Sequence, residues 1–224
     1  EITLGKRFSV DNDDIPEVQK PVKLISITPD SENLIAYCAR VSSNQQDNPS
    51  ISKLLRYCIK HKHWSIFETA YLTVEINTSR AISAQILRHR SFTFQEFSQR
   101  YAEVPNFVSY NARRQDKKNR QASIDDMSIE DKHWFSVAQD RVQTLTASLY
   151  LDALDKGIAK EQARFLLPMS SKTKIYMTGN IRSWIHYLEL RTGIETQKEH
   201  RDIAREIKKI FKQELPIISG ALEW

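Results

Sequence analysis

The sequence predicts a mostly helical α+β domain built around one small, central sheet of the antiparallel type. Amphipathic helical patterns cover much of the 224 residues, whereas strict apolar–polar alternation is clearest in residues 70–77. The 40% of hydrophobic and 27% of charged residues are ordinary for a globular domain, which excludes a fibre and a wholly disordered chain. We expect a single domain over residues 22–224, preceded by a polar, flexible N-terminal arm over residues 1–21.

The first half of the domain predicts short helices between extended segments. Ser31, Ser50 and Ser79 each precede a run with helical apolar spacing and are placed to cap it. Residues 70–77 place four apolar side chains on one face, as in a half-buried strand. The expected elements are a strand at 22–27, helices at 31–42 and 50–59, a strand at 70–77, a helix at 79–88, and an irregular or extended segment at 89–101.

The second half of the domain predicts longer helices. Ser128 and Asp131 resemble a capping box, and Gly157 is the expected stop of the helix that they open. Asn180 is placed to cap a later helix. The expected elements are a loop at 102–126, a helix at 128–156 with Trp134, Ala138, Val142, Leu145 and Leu149 on one side, a short helix ending near 168, an extended segment at 172–178, a helix from 180, and a last helix at 195–215.

Glycine is scarce, and its distribution excludes two kinds of nucleotide site. The chain has five glycines, and no two of them lie close together. Walker A loops and G-x-G-x-x-G turns both need clustered glycines, because backbone amides must approach the phosphates. The formal net charge of +5 suits an anionic partner. If the chain binds nucleotides, arginine side chains must therefore hold the phosphates.

Cys38 and Cys58 are the only two cysteines, which excludes a disulfide framework and a zinc site built from cysteines. Both lie on apolar faces of expected helices, so we interpret them as small core residues and not as nucleophiles. No apolar run is long enough to span a bilayer, and no signal-peptide pattern is present. We expect no metal site, no membrane association and a cytoplasmic location.

The segment 88–101 carries the strongest chemical signal. Arg88, His89 and Arg90 end an amphipathic helix and are followed by three phenylalanines, several hydroxyls and the carboxyl group of Glu96. Neighbouring cationic groups repel one another unless anions lie between them. The segment therefore suits a planar ligand that carries phosphate, although a solvated basic helix end gives a similar pattern.

This segment resembles the signature of the flavin-dependent thymidylate synthases, R-H-R-x-x-S-x-x-x-x-S-x-R. Thr93 stands where the family usually has serine, and Gln95 stands where it often has asparagine; both keep the functional group. The resemblance covers residues 22–224 and continues, in the same order, in the segments 63–68, 163–168, 180–184 and 188–191.

The resemblance implies an enzyme that converts dUMP to dTMP by reductive methylation without a cysteine nucleophile. Methylenetetrahydrofolate would donate the carbon, and NADPH would supply reducing equivalents through bound FAD. The family's members are homotetramers whose active sites are shared between chains, so we expect the same assembly here.

The resemblance also implies roles for individual residues. Arg191 is expected at the uracil edge, where it would help to ionise N3, and Ser98 and His63 are the other catalytic candidates. His186 departs from the family, in which asparagine is common at that place. The residues expected to bind the cofactor are Ser65, Arg88, His89, Arg90, Glu96, Asn180, Arg182 and His186. The residues expected to bind the substrate are Gln85, Arg88, Glu96, Phe97, Ser98, Gln99, Arg100, Arg164 and Arg191.

Some of these residues have a second interpretation. Ser98 is a hydrogen-bonding residue for the nucleotide or a nucleophile, although the sequence supplies no visible base for it. His63 lines the folate or nucleotide side, or it is a loop histidine on a basic surface. Arg182 and Glu189 share a helical face, so they form an intrahelical ion pair or belong to a polar face turned toward the flavin.

Three further features leave alternatives open. The basic segment 111–120 is a mobile lid or a solvated loop, and we expect His133 and His200 to be exposed. Scattered positive charge and the phenylalanines after Arg90 also fit a single-stranded nucleic-acid-binding module, but no nucleic-acid-binding motif is present, so we expect no nucleic-acid partner. A flavin reductase without methyl transfer is a third possible function.

Overall fold

The fold is built around one four-stranded sheet, and two of its strands continue directly into helices. The structure is a computed structural model that describes residues 21–103 and 106–224. The strands in these ranges are β1 (Val22–Ile27), β2 (Tyr71–Ser79), β3 (Thr93–Glu96), β4 (Arg114–Gln115), β5 (Ser123–Ile124) and β6 (Lys172–Asn180). Strands β1, β2, β3 and β6 form an antiparallel sheet in the spatial order β1-β2-β6-β3, and β4 pairs with β5 in a separate ribbon.

Helices account for most of the remaining regular structure, so the predicted mostly helical α+β class is confirmed. Two 3-10 turns, Trp64–Glu68 and Arg164–Leu166, lie between the α-helices. The α-helices of the described ranges are α1 (Ser31–Ala39), α2 (Ser52–Lys60), α3 (Arg80–Ile86), α4 (Ile129–Asp155), α5 (Lys160–Ala163), α6 (Ile181–Arg191), α7 (Lys198–Glu214) and α8 (Pro216–Ala221).

The pairing of β2 with β6 places two helices for the site. The register runs from Tyr71 opposite Asn180 to Ser79 opposite Lys172, so α3 and α6 leave the sheet from opposite ends. The chain returns after α3 as β3, whose Thr93 pairs with Thr178 near the end of β6. The turn at residues 88–92 therefore comes close to α6, which begins just after β6.

The predicted alternation in β2 is confirmed by burial. Leu72, Val74 and Ile76 are fully buried, as are Ile175 and Met177 of β6. These side chains form one face of the core because alternate residues of a strand point to the same side of a sheet. The other side of this core comes from α6 and α7, and the buried indole of Trp184 donates a hydrogen bond of 2.9 Å to the Leu72 carbonyl. The first turns of α6 are thereby fixed to the sheet.

Two predicted helix starts are confirmed in detail. The Asn180 side chain accepts from the Ser183 amide at 2.8 Å, and the Ser128 hydroxyl accepts from the Asp131 amide at 3.0 Å. Gly157 ends α4 with φ of 79°, and its amide and the next one return to carbonyls in the last turn. This is the Schellman arrangement, in which glycine avoids the strain that a Cβ brings at positive φ.

Other predicted boundaries are wrong by a few residues. Asp30 and Ile51, and not Ser31 and Ser50, hold the N-cap positions of α1 and α2. The Ser31 hydroxyl instead donates backward to the Thr28 carbonyl, so it is not free to cap the helix. Pro216 opens α8 and does not merely end α7, because its fixed φ suits the first turn of a helix.

The long helix α4 is confirmed, but its apolar side is not covered by the described part of this chain. Trp134 is 69% exposed, Leu145 61%, Val142 52% and Leu149 45%. Exposed apolar side chains in a row of this kind leave a large apolar surface in contact with water. We refer to Trp134, Val142, Leu145 and Leu149 as the α4 stripe.

No helix within the described ranges is long and apolar enough to cross a membrane. The predicted arm over residues 1–21 lies, except for Pro21, outside the described residues, and its flexibility and the domain boundary stay predictions.

Candidate active site

The turn that follows α3 leaves two guanidinium groups available for a ligand. Phe92 closes this turn, and its buried ring packs edge-on against Trp184 with the ring centroids 4.7 Å apart. Gly179 makes this approach possible, since a Cβ there would lie 2.4 Å from the Phe92 ring. Arg88 and Arg90 are exposed, and their side chains have no hydrogen bond or ion pair to any described residue. The turn is thus anchored by Phe92 while its two arginines remain free.

His89 lies between these arginines and binds a residue of α6. The Arg191 Nε donates to the His89 Nε2 at 2.9 Å. A guanidinium group only donates, so Nε2 must be unprotonated and Nδ1 must carry the imidazole proton. Burial first, and then the charges of Arg191 and His186, lower the pKa of His89 from its ordinary value of 6.5 to about 4. His89 is therefore a neutral hydrogen-bonding group between two cationic arginines.

Arg191 is fixed through one nitrogen and available through the others. Its Nε is used by His89, whereas its two terminal nitrogens have no hydrogen-bond partner among the described residues. The side chain is partly exposed, and it ends α6. A guanidinium group held in this way can direct two parallel N–H groups at a planar acceptor, which favours bidentate recognition.

His200 was predicted to be exposed, and that prediction is wrong. It is 0% exposed, on the face of α7 that packs against α6, and its Nε2 lies 2.9 Å from the Tyr187 hydroxyl. The Tyr187 ring in turn packs edge-on against His89, at a centroid distance of 4.8 Å. Burial lowers the pKa of His200 to about 3 and raises the pKa of Tyr187. The other predicted surface histidine, His133, is exposed as expected.

The two depressed histidines make stability depend on pH. Unfolding returns His89 and His200 to an ordinary pKa of 6.5, from about 4 and about 3 in the folded protein, so the unfolded chain binds more protons at mildly acidic pH. We expect the thermal unfolding midpoint to fall as pH decreases from 6.5 toward 4. The His200→Leu variant should show a smaller slope, whereas His133→Gln should keep the wild-type slope. An identical slope in all three proteins would contradict this assignment.

The Glu96 carboxylate has one oxygen that accepts from neighbouring side chains and one that is available to a ligand. Its Oε1 accepts from Arg80 at 2.7 Å, from Thr173 at 3.0 Å and from the Ser83 hydroxyl. No described residue donates to its Oε2. The carboxylate is thus held in a fixed orientation by three donors from α3 and β6, and its second oxygen can still accept from a ligand.

The residues after β3 include a buried amide without a partner. Gln99 is buried, and its Nε2 has no hydrogen-bond partner among the described residues. The Ser98 hydroxyl accepts from the Arg100 amide at 3.3 Å and has no bond to a histidine or carboxylate of the described chain. A nucleophilic serine needs an adjacent base, so this geometry favours the hydrogen-bonding interpretation of Ser98.

The polar face of α6 meets the 3-10 turn at Trp64–Glu68. Arg182 forms an ion pair with Glu68, and not the intrahelical pair with Glu189 that the spacing allowed. The Asn180 oxygen is used by the helix cap, but its Nδ2 remains free within the described chain. His186 and Ser65 are exposed. Their side chains are therefore accessible to a ligand on this side of α6.

His63 belongs to an exposed aromatic cluster. Its ring lies 5.8 Å from the Tyr57 ring and 6.1 Å from the His61 ring. His61 and Lys62 are solvated, as expected. The exposure of His63 is compatible with both of its interpretations, so its catalytic role stays a prediction.

The chain matches a known family over most of its length. The sequence profile of the family described as thymidylate synthase complementing protein matches residues 23–217. A probable flavin-dependent thymidylate synthase of Paramecium bursaria Chlorella virus 1 is 55% identical over 212 residues, which are 90% of this chain and 98% of the relative. The flavin-dependent thymidylate synthase of Synechocystis sp. is 55% identical over 193 residues, which are 86% of this chain and 90% of the relative.

The chain belongs to the flavin-dependent thymidylate synthase family.

A solved structure has a similar fold, which agrees with membership of this family. The UMP/dUMP methylase PolB from Streptomyces cacaoi, bound with 5-Br dUMP, superposes with a TM-score of 0.81 at 27% identity, and the match covers 90% of this chain and 93% of that chain. The sequence-based predictions of the family, of an enzyme that methylates, of thymidylate synthase function and of dependence on FAD are thereby confirmed.

The donors of this flavin-dependent thymidylate synthase fit a cofactor with a pyrophosphate and a polar ring. Arg88 and Arg90 have no ion-pair partner among the described residues, and His89 offers a neutral N–H at Nδ1. An anion is best held by such unpaired guanidinium groups. Within the described residues, no group of three or more His, Cys, Asp or Glu side chains could hold a metal ion.

Two arginines predicted to bind the substrate meet at one residue. Arg100 forms an ion pair of 3.7 Å with the Glu161 carboxylate, and Arg164 donates to the Glu161 carbonyl at 3.1 Å. A cleft of about 810 Å³ elsewhere in the described chain contains, of the predicted site residues, Phe97.

Sequence reasoning missed a polar network that ends at Gln85. Arg113 forms an ion pair of 2.5 Å with Glu199 of α7, Gln197 donates to Glu199 at 2.9 Å, and Gln85 donates to Gln197 at 2.6 Å. Arg113 is therefore mostly removed from solvent by its ion pair, and the two interpretations of segment 111–120 as a lid or a loop stay predictions. The network joins residues more than 80 positions apart, so no local pattern could have revealed it.

The two thiols agree with their predicted role as packing residues. Cys58 is buried and Cys38 is partly buried, and burial raises the pKa of Cys58, which disfavours a nucleophilic thiolate. We expect Cys38→Ala and Cys58→Ala to retain the turnover of the wild-type enzyme, measured as thymidylate formation. Loss of all activity in either folded variant would contradict a mechanism without a thiol.

Proposed function

We propose that this enzyme methylates dUMP to dTMP at a site where Arg191 activates the uracil ring. The observation that carries the proposal is the bond from Arg191 Nε to the neutral imidazole of His89, which leaves the terminal guanidinium nitrogens free. Methylenetetrahydrofolate donates the carbon and NADPH the reducing equivalents, and the reaction takes place in the cytoplasm. Bound FAD supplies the hydride transfer chemistry that no side chain can provide.

Arg191 acts on the pyrimidine by stabilising negative charge. Ionisation at N3 places electron density on the ring and makes C5 nucleophilic. Fixed guanidinium donors at the uracil edge favour that charge because they need no reorganisation during the reaction. The partly buried, neutral His89 adds no competing positive charge to Arg191, and it keeps the guanidinium group in one orientation.

The phosphates are held by arginines from several elements. Arg88 and Arg90 belong to the cofactor side, where Ser65, Asn180, Arg182 and His186 add polar contacts from the 3-10 turn and α6. Ser98, Arg100 and Arg164 hold the phosphate of dUMP, with Gln85, Glu96, Phe97 and Gln99 around the nucleotide. The free Oε2 of Glu96 accepts from a hydroxyl or N–H group of either ligand.

The active enzyme is a homotetramer with shared sites. One observation supports this assembly: the apolar side chains of the α4 stripe are exposed in the single chain, and burial against a second copy would remove them from water. A second copy of the chain is the occupant that brings an arginine of one protomer to the uracil side of another. His63 lines the folate side of the completed site.

The direct test is to purify the protein and assay it. We expect a yellow protein that absorbs near about 450 nm and that forms thymidylate from dUMP, methylenetetrahydrofolate and NADPH. Oxidation of NADPH without thymidylate would identify a flavin reductase and contradict the proposal. A colourless protein that binds single-stranded DNA with a steep salt dependence would instead identify a nucleic-acid-binding module.

A further inference from the structure

A buried polar pair lies directly behind the bond between His89 and Arg191. Tyr187 and Arg191 are one turn apart on α6, and both of them contact the His89 ring. The Tyr187 hydroxyl is bound at 2.9 Å to Nε2 of His200, and both residues are 0% exposed. His89 therefore packs against the Tyr187 ring, and the hydrogen bond to His200 fixes the orientation of that ring.

The pair has a feature that pure packing does not require. The His200 Nδ1 is buried and has no hydrogen-bond partner among the described residues. An unpaired polar atom in a core is unfavourable, and two apolar residues of similar shape would avoid that loss. We therefore attribute another effect to the hydrogen bond of this pair: it fixes the orientation of the Tyr187 ring that packs against His89.

We propose that Tyr187 and His200 are positioning residues, which hold the His89 ring so that its Nε2 remains the acceptor for Arg191. This inference rests on the proposed function of Arg191. The two residues touch neither substrate nor cofactor, and they act only through His89. If His89 were protonated, Nε2 could no longer accept, and the imidazolium would repel Arg191.

The charges of α6 that act on His89 favour its neutral form. Arg191 and His186 lower the pKa of His89, and Arg88 and Arg90 are its exposed neighbours in sequence. Tyr187 of α6 and His200 of α7 complete its surroundings with neutral groups. Loosening the pair would admit water to the ring, and the pKa of His89 would rise toward its ordinary value of 6.5.

The test compares Tyr187→Phe and His200→Leu with a control that loses a hydrogen bond elsewhere. Thr73→Val removes the 2.9 Å bond between the Thr73 and Thr178 hydroxyls of neighbouring strands. The dissociation constant of dUMP is measured by equilibrium dialysis with the flavin-loaded protein, between pH ~5 and ~8, beside the thermal unfolding midpoint.

We expect both variants to bind dUMP about tenfold more weakly than the wild type near neutral pH. Below pH ~6.5 we expect a further loss that approaches tenfold per pH unit and that the wild type and Thr73→Val lack. Variants that lose thermal stability as Thr73→Val does, with an unchanged pH profile, would overturn the proposal. If the single variants fail to fold, the variant with both substitutions is used, because it leaves neither polar partner of the pair unpaired. We expect that double variant to show the same loss of dUMP binding at acidic pH. An unchanged pH profile in the double variant would also overturn the proposal.

The result separates this inference from the proposed function. Wild-type holoenzyme that fails to bind dUMP would contradict the proposed function itself. Wild-type holoenzyme that binds dUMP, beside variants whose binding has the same pH profile, would contradict only the positioning role.

Discussion

Replacement of Arg191 by alanine is expected to reduce thymidylate formation by about 100-fold to 1,000-fold while flavin remains bound, because loss of one fixed donor to a developing anion has an effect of that size. The structure explains why the loss is selective. Arg191 contacts His89 through Nε alone, and its remaining donors have no partner in the described chain. The measurement is turnover at saturating dUMP, beside the flavin absorbance of the purified variant.

A matched control for that variant is Arg205→Ala. Arg205 is exposed on α7 and makes no ion pair or hydrogen bond among the described residues. Its substitution therefore removes the same charge as Arg191→Ala but away from the site. We expect it to turn over as the wild type does. Substantial thymidylate formation by Arg191→Ala, at the rate of Arg205→Ala, would remove Arg191 from the catalytic role.

Introducing aspartate into the α4 stripe is expected to dissociate the enzyme and to abolish activity. In Leu145→Asp the carboxylate would have to be buried against a partner without a countercharge, which is unfavourable by about 3 kcal/mol per buried carboxylate. That weakens association at each contact by roughly a hundredfold. Leu145 is already 61% exposed in the single chain, so the fold of the protomer itself should be retained. Sedimentation velocity measures the assembly, and turnover is measured on the same samples.

Ser136→Asp provides the same charge on α4 outside the stripe. Ser136 is exposed, and it is nine residues from Leu145, on the opposite side of a helix with 3.6 residues per turn. We expect this variant to keep the proposed tetrameric assembly and full activity. An active monomer, in the wild type or in Leu145→Asp, would contradict sites shared between chains.

Local patterns predicted the elements that carry the site, because their signals are local. The alternation of residues 70–77, the Asn180 cap and the apolar residues of α6 each depend on neighbours within a few positions. The cationic segment after α3 was also recognisable from its own residues. Its anchor was not, because the contact of Phe92 with Trp184 joins residues that the sheet brings together.

Long-range partners could not be predicted for a physical reason. His200 follows Lys198 and Glu199 in a strongly charged helix, and its neighbours in sequence indicate an exposed position. Only the packing of α7 on α6 buries it and supplies the Tyr187 hydroxyl. Arg182 likewise has a candidate partner on its own helical face, Glu189, seven residues further along, yet it binds Glu68, which is 114 positions distant.

The absence of a side chain at position 179 restricts how this enzyme can vary. Even a methyl group there would overlap the ring of Phe92, although the strand itself would accept alanine. Substitution at this strand residue would therefore displace a cationic turn almost ninety positions earlier in the chain. Among functional variants of this enzyme, we therefore expect glycine to be retained at position 179 because the Phe92 ring must fit there, and not because the strand itself needs glycine.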